Sequence, residues 1–218
     1  MSFLLTHCCS VEYWQKFGNQ YTLMIEAMNP KPDEIILSSL VPLNVPSWIR
    51  NIITKELFWD GVNEAVELSS CDWVVSAGVD QIMLPDSLVG LDRDCDVISI
   101  AGRTQNDSLF QADPDGYEKI LSITNNPMSG MTVSSRNSFL AFPARRSPYS
   151  DWIQWMEFRK AELDVQFDTT QRFIHWRHPD AMSFRPNLQG EADVALFRNL
   201  INEHEVVPGV EFPPLILK

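Results

Sequence analysis

The chain is short of cations. Its 218 residues carry 17 Lys and Arg against 29 Asp and Glu, a formal net charge of −12. Binding to a phosphate backbone rests on clustered Lys and Arg that release counterions, so a nucleic-acid partner is excluded. The one compact basic cluster is Arg145–Arg146. Two adjacent guanidiniums suit a diphosphate better than a duplex, and a solvated loop is the plainer reading. Cysteine is scarce too: Cys8, Cys9, Cys71 and Cys95 form no Cys-x-x-Cys, which excludes a dense disulfide framework and fits a reducing compartment. No apolar run approaches the ~20 residues that span a bilayer, and the opening MSFLL is too short for a signal-peptide core. A soluble, cytoplasmic protein is expected. Repeats, low-complexity tracts and linkers are absent, so residues 1–218 read as one domain.

What is present is a hydrophobic core in waiting, with 44% hydrophobic residues, 7 Trp and 12 Phe. "FLLTHCC" reads as a buried strand. "SVEYWQKFGNQYTLMIEAM" follows as a helix, with Ser10 placed to cap and Tyr13, Trp14, Phe17, Tyr21, Met24, Ile25 and Met28 at helical spacing. "EIILSSL" is a strand short and apolar enough to be central and parallel. An amphipathic helix over 59–70 then leads into the strand "CDWVVSAGVD", giving a further β-α-β step. "DVISIAG" reads as a strand, "YEKILSITNN" as a short helix, and "MSGMTVSS" as a strand that Gly130 kinks. "SPYSDWIQWMEFRKAEL" is a helix starting at Ser147–Pro148, with Trp152, Trp155, Met156 and Phe158 on an apolar side. "DVQFD" and "RFIHWRH" are two short strands, "GEADVALFRNLINEH" a last helix, and the end a Pro-rich tail. The expected fold is an α/β sandwich, mostly parallel at its centre and mixed toward the C-terminus, with its ligand site at the carboxyl ends of the parallel strands.

Within "SAGVDQIMLPDSL", an apolar approach ends in Gly78, one carboxylate at Asp80, and Pro85 opening an expected helix. Asp80 either caps a turn or holds something that a carboxylate is needed to hold. The order of these segments resembles the family 2 glycosyltransferases of the GT-A fold, over roughly residues 2–183. "SFLLTHCCSVEYW" is similar to the family's opening strand, base-contacting edge and helix. "EIILSSL" is similar to its second strand, with Ser39 in place of a base-binding acid. In "VNEAVELSSCDWVVSAGVDQIMLP", Asn63 matches the family's helix Asn, Asp80 the second acid of its Asp-x-Asp motif, and Pro85 the following proline. The first acid is Gly78 here. "YSDWIQWMEFRKAEL" resembles the catalytic-base motif, with Asp151 as the base and Ser150 beside it. "FIHWRHPDAMS" resembles the closing strand, with Arg177, His178 and Ser183.

The resemblance implies transfer of a sugar from a nucleotide-sugar donor, a UDP-sugar, to an acceptor hydroxyl. Asp151 would deprotonate the acceptor, and a base opposite the leaving group implies inversion. As a helix N-cap Asp151 is equally intelligible, and the two roles are compatible. A divalent cation would stabilise the departing diphosphate. Asp80 and His178 would hold it, a carboxylate and imidazole pair favouring Mn²⁺ over Mg²⁺. His178 also reads as a surface histidine before proline. Thr6, His7, Cys8, Ser39, Asn63 and the backbone at Gly78, Val79 and Asp80 would surround the nucleotide, and Arg145, Arg146 and Arg177 the phosphates or donor sugar. Ser39 is a weaker acceptor than a carboxylate, and a strand-end serine satisfied by backbone is its ordinary role. His175 is expected to be structural, His204 to be on the surface, and the vicinal thiols to be packing groups.

The alternative is a relative without turnover that binds a nucleotide or glycan, suggested by the missing first acid and by Ser38–Ser39. A sugar nucleotidyltransferase would want a Gly-rich loop with a basic residue after the first strand, and "THCCSVEY" has none. The acceptor, a glycan, lipid or protein, is not identified by the sequence. The chain is short for the family, so an acceptor site open or completed by a partner is expected, with slow hydrolysis of the donor in its absence.

Overall fold

The computed structural model describes residues 2–55, 59–79, 81–91, 94–104, 109–110, 113–121, 128, 131–144 and 150–175. Gly130, Ser147–Pro148, the expected last helix and the tail lie outside them. The first strand, β1 (Phe3–Cys8), is buried along nearly its whole length. Ser10 then accepts a hydrogen bond from the Tyr13 N–H at 3.2 Å and caps α1 (Val11–Ala27). Helical spacing puts Phe17, Tyr21, Met24 and Ile25 on the buried face of α1. Next come β2 (Glu34–Ser39), β3 (Arg50–Ile53), α2 (Trp59–Leu68), β4 (Trp73–Ser76), β5 (Gln81–Met83), β6 (Val97–Thr104) and β7 (Leu109–Phe110). The described chain continues with α3 (Pro114–Glu118), β8 (Thr132–Ser135), α4 (Arg136–Ala141), α5 (Ser150–Lys160) and β9 (Val165–His175).

The strands form one sheet in the order β3-β2-β1-β4-β8-β6-β9-β5, with β7 pairing β6 off this path. β3, β2, β1 and β4 are parallel, which accounts for the doubly buried runs of β1 and β2. β8 is antiparallel to both β4 and β6, so β6 points the same way as β4, and β9 runs parallel to β6. The carboxyl ends of β1, β2, β3, β4, β6 and β9 therefore share one edge of the sheet. One face packs against α1 through Leu5, Leu37, Val75 and Val133. The other packs against α2 and α4 through Leu4, Ile36, Val74 and Phe139, and against α3 and α5 through Val97 and Val165.

Several expectations are corrected. β3 stands between β2 and α2, and β5, β7 and α4 were not anticipated. Pro85 opens no helix: residues 85–90 are turns, ended by Gly90 at a φ of 66°. Of the short helix expected over 117–126, residues 117–118 end α3 (Pro114–Glu118), where Asp113 accepts from the Asp115 N–H at 3.1 Å, 119–121 are turn, and 122–126 lie outside the described residues. The segments 165–168 and 172–175, expected as two strands, belong to one strand, β9, whose register against β6 slips after Ile100. α5 is not one-sided: Ser150 and every residue from Trp152 to Phe158 are buried, with Gln154 and Glu157 among them. A helix covered on all sides needs partners for its polar groups, and Gln154 finds one in the Phe142 carbonyl, at 2.8 Å.

Candidate functional site at the carboxyl edge of the sheet

The edge is built by backbone first. The Ala77 N–H donates to the Thr6 carbonyl at 3.2 Å, joining the ends of β4 and β1. Just beyond, the Gly78 N–H donates to Gln81 Oε1 at 2.7 Å, and the Gln81 N–H returns to the Gly78 carbonyl at 2.9 Å. These two bonds tie Gly78 to Gln81. Asp80 itself lies outside the described residues, as do Arg145, Arg146, Arg177, His178 and Ser183.

β5 then pairs antiparallel with β9, Gln81 opposite His175, Ile82 opposite Ile174 and Met83 opposite Phe173. This register has a direct consequence. It sets His175, at the carboxyl end of β9, opposite Gln81, the first residue of β5, so two segments about ninety residues apart in sequence meet at one edge. Below this pairing, Arg172 is buried, 7% exposed, and its Nε donates to Asp168 Oδ2 at 2.6 Å. Its Nη2 forms an ion pair with the same carboxylate. Its Nη1 donates to the carbonyls of Val89 at 2.7 Å, Ser87 at 3.1 Å and Asp86 at 3.4 Å. Burial alone would raise the Asp168 pKa, but the hydrogen bonds from Thr170 and Arg172 and the Arg172 charge outweigh it and hold the carboxyl below its ordinary value.

Among the expected nucleotide contacts, Thr6 is fully buried, and its Oγ1 has no hydrogen-bond partner among the described residues. Strand alternation puts Thr6 and Cys8 on the α2 face with Leu4, and His7 on the α1 face with Leu5. Ser39 donates to the Val41 carbonyl at 2.7 Å and accepts from Asn51 Nδ2 at 2.9 Å. Its hydroxyl is therefore used within the fold. Gly78 and Val79 are both buried, and the Gly78 amide is the one bound by Gln81. Asn63 is likewise engaged: Nδ2 donates to the Ala144 carbonyl at 2.9 Å and Oδ1 accepts the Ala144 N–H at 3.0 Å.

This reciprocal pair fixes the segment that leads to Arg145. Together with the Gln154–Phe142 bond, it ties α2 to α5 through residues 142–144. The orientation of α5 follows from its far end, where the Leu163 N–H bonds the Phe158 carbonyl and the Val97 N–H bonds the Asp164 carbonyl, each at 3.1 Å. The helix terminus is thus anchored at the amino end of β6. The helix is roughly 16 Å long, so Asp151 in its first turn stands at the end away from that anchor. Asp151 is exposed and Ser150 beside it is buried. Helix N-termini carry partial positive charge, which suits an edge that would receive an anion.

No group of three or more His, Cys, Asp or Glu side chains able to hold a metal occurs among the described residues. A cavity of about 520 Å³ lies elsewhere, at the amino ends of β2 and β3 between Ile25, Lys31, Trp48 and Arg50. We assign the site by convergence of the strand ends rather than by cavity size. Sequence reasoning missed Arg172, Asn51 and Gln154, because a single polar residue inside an apolar segment announces no partner.

The chain matches no protein-family model and no curated protein. Solved structures do resemble it. S. aureus TarS (residues 1–349) in complex with UDP-GlcNAc superposes with a TM-score of 0.65 at 13% identity, covering 97% of this chain and 68% of that one. Glucosyl-3-phosphoglycerate synthase from Mycobacterium tuberculosis, in complex with Mn²⁺, UDP and glucosyl-3-phosphoglycerate, gives 0.59 at 10% identity, covering 95% and 81%. The same synthase with Mg²⁺ and UDP gives 0.58 at 12% identity. No helix among the described residues is long and apolar enough to cross a membrane. At these identities the likeness establishes the fold, and the chain has the mixed α/β fold of GT-A glycosyltransferases.

Proposed function

We propose that the chain binds a UDP-sugar at the carboxyl edge with a divalent cation and transfers the sugar to an acceptor hydroxyl. The observation that supports this best is the β5–β9 register, which sets His175 at the carboxyl end of β9 opposite Gln81 at the start of β5. The ligands of the structural neighbours, UDP, UDP-GlcNAc, Mn²⁺ and Mg²⁺, are consistent with it. Asp80 and His178 would hold the cation, whose chemistry is to neutralise charge developing on the leaving diphosphate. Arg145, Arg146 and Arg177 would add cationic contacts to the phosphates. Asp151, in the first turn of α5, would accept the proton of the attacking hydroxyl, and attack from the face opposite the leaving group would invert the anomeric centre.

A second reading, nucleotide or glycan binding without turnover, is favoured by Gly78, which stands where the resembled motif has its first acid and whose amide is bound by Gln81 Oε1. Calorimetric titration of UDP with Mn²⁺, Mg²⁺ or chelator tests both readings. Metal should raise UDP affinity by at least ~10-fold, and Asp80→Ala should abolish the rise. UDP release from UDP-GlcNAc or UDP-glucose then separates transfer or hydrolysis from binding alone. No UDP binding in any condition would sink both readings and return Asp80 to a turn-capping role.

A further inference from the structure

We propose that the hollow at the amino edge of the sheet is a binding site for a neutral saccharide. It lies about 20 Å from the carboxyl edge, the length of the six-residue strand β2, and is independent of the proposed function. The hollow exists because two strands start out of step. β3 pairs with β2 from Ile36 onward, so Glu34 and Ile35 run past the start of β3 with no β3 residue opposite them. Ile25 and Glu26 from the end of α1, residues 31–33, and the pair Trp48 and Arg50 wall this step.

The walls are held by the fold before any ligand arrives. The Leu43 N–H donates to Asn51 Oδ1 at 2.8 Å, Trp14 Nε1 to the Asn44 carbonyl at 2.9 Å, and the Ile49 N–H to the Pro46 carbonyl at 2.9 Å. These bonds fix the loop that presents Trp48, which is 42% exposed. In the segment 31–33, the Asp33 N–H donates to the Phe3 carbonyl at 2.9 Å and Asp33 Oδ2 accepts the Phe3 N–H at 2.8 Å. A cavity ordered in advance loses little further freedom on binding.

The lining decides the ligand. An exposed indole offers an apolar face to the C–H face of a pyranose ring. Asp33 and Glu34 are engaged by Phe3 and Ser70. The side chains of Glu26, Lys31 and Arg50 have no hydrogen bond or ion pair among the described residues, which leaves one acceptor and two donors for hydroxyls that can do both. An anion is disfavoured, because Glu26, Asp33 and Glu34 outnumber Lys31 and Arg50 in the lining. A cation would meet Lys31 and Arg50. A neutral polyhydroxyl ligand meets neither repulsion, and about 520 Å³ is an ordinary volume for a small-molecule pocket.

The test titrates the chain with maltotetraose, cellotetraose and N-acetylchitotetraose, each to about 10 mM, by calorimetry and by the indole N–H signals of ¹⁵N spectra. At least one should bind and shift the Trp48 indole signal. Trp48→Ala should weaken that binding by ~10-fold or more, Trp48→Phe, which keeps a ring, by less, and Arg50→Gln by ~3-fold or more. Both positions are exposed, so thermal midpoints should stay within about 2 °C of the wild type. UDP affinity with Mn²⁺ should stay within about twofold in all three variants, because the hollow is remote from the carboxyl edge. No saccharide binding in this range, binding that Trp48→Ala leaves intact, or displacement of the saccharide by inorganic phosphate would overturn the inference. A wild-type protein that binds a saccharide here and no UDP would overturn the proposed function and uphold this site.

Discussion

At the scale of single residues, the tightest constraint at this edge is Gly61. A Cβ built there would stand 2.3 Å from Ser38 Oγ and 2.7 Å from Ser38 Cβ, with Thr54 Cγ2 at 3.3 Å. Ser38 is fully buried at the end of β2, and its side chain is too short to bend away. α2 must therefore lift from the sheet if any side chain is added. We expect Gly61→Ala to cost about 1–3 kcal/mol, read as a lower urea midpoint at unchanged slope. Ser38→Ala should rescue it only partly, because the serine Cβ is itself too close; full rescue would place the conflict at the hydroxyl alone. Nothing in the sequence around Gly61 announces this. A glycine in an amphipathic segment reads as a weak helix position, and only the approach of α2 to β2 gives it a reason.

At the scale of elements, residues 142–144 link the helix that carries Asn63 to the helix that carries Asp151. Removing the Asn63 amide leaves the Ala144 N–H and carbonyl without their side-chain partner. Asn63→Ala should cost about 1–2 kcal/mol, since the site is half-buried and water can replace part of the loss. Because Gln154 holds the same segment through Phe142, a double-mutant cycle of Asn63→Ala with Gln154→Ala should show coupling of at least about 0.5 kcal/mol. Strict additivity would mean that α2 and α5 are held independently. How legible these elements are follows from their length. β1, α1, β2, α2 and α5 carry enough periodic residues to be read; the Asp80 segment stood out because it follows an apolar run, and the Asp151 segment because it opens an aromatic one. β3, β5, β7 and α4 are too short to show a period, and β5 exists because β9 lies beside it. Asn63 was read as a nucleotide contact, whereas a pattern of residue types cannot reveal that its amide is already spent on a chain segment 81 residues away.

At the scale of the whole molecule, acid acts in two opposing ways. Protonating carboxylates relieves the self-repulsion of a chain with a net charge of −12, which favours the compact state. It also removes the interactions of groups whose pKa folding lowers, Asp168 and Glu34, the latter through hydrogen bonds from Ser70 that outweigh the opposing effect of burial. A carboxyl with a depressed folded pKa contributes stability that is fully present above its ordinary value and is lost as pH falls through the folded one. On the alkaline side, burial pushes the Tyr117 phenol up to about 12, so its contribution is whole below its ordinary value of 10.0 and declines above that. The acid terms can be separated by a charge-neutral comparison. The double variant Asp168→Asn, Arg172→Gln exchanges one anion and one cation for neutral groups, so its net charge equals the wild type's and the global repulsion cancels. The stability gap between the two proteins, measured by urea unfolding, should stay level down to about pH 5 and narrow as pH falls below the ordinary Asp value of 3.8. A gap that stays constant to pH 2 would mean that Asp168 titrates alike in the folded and unfolded chains, and that Arg172 owes its position to the carbonyls of the 84–90 turn alone.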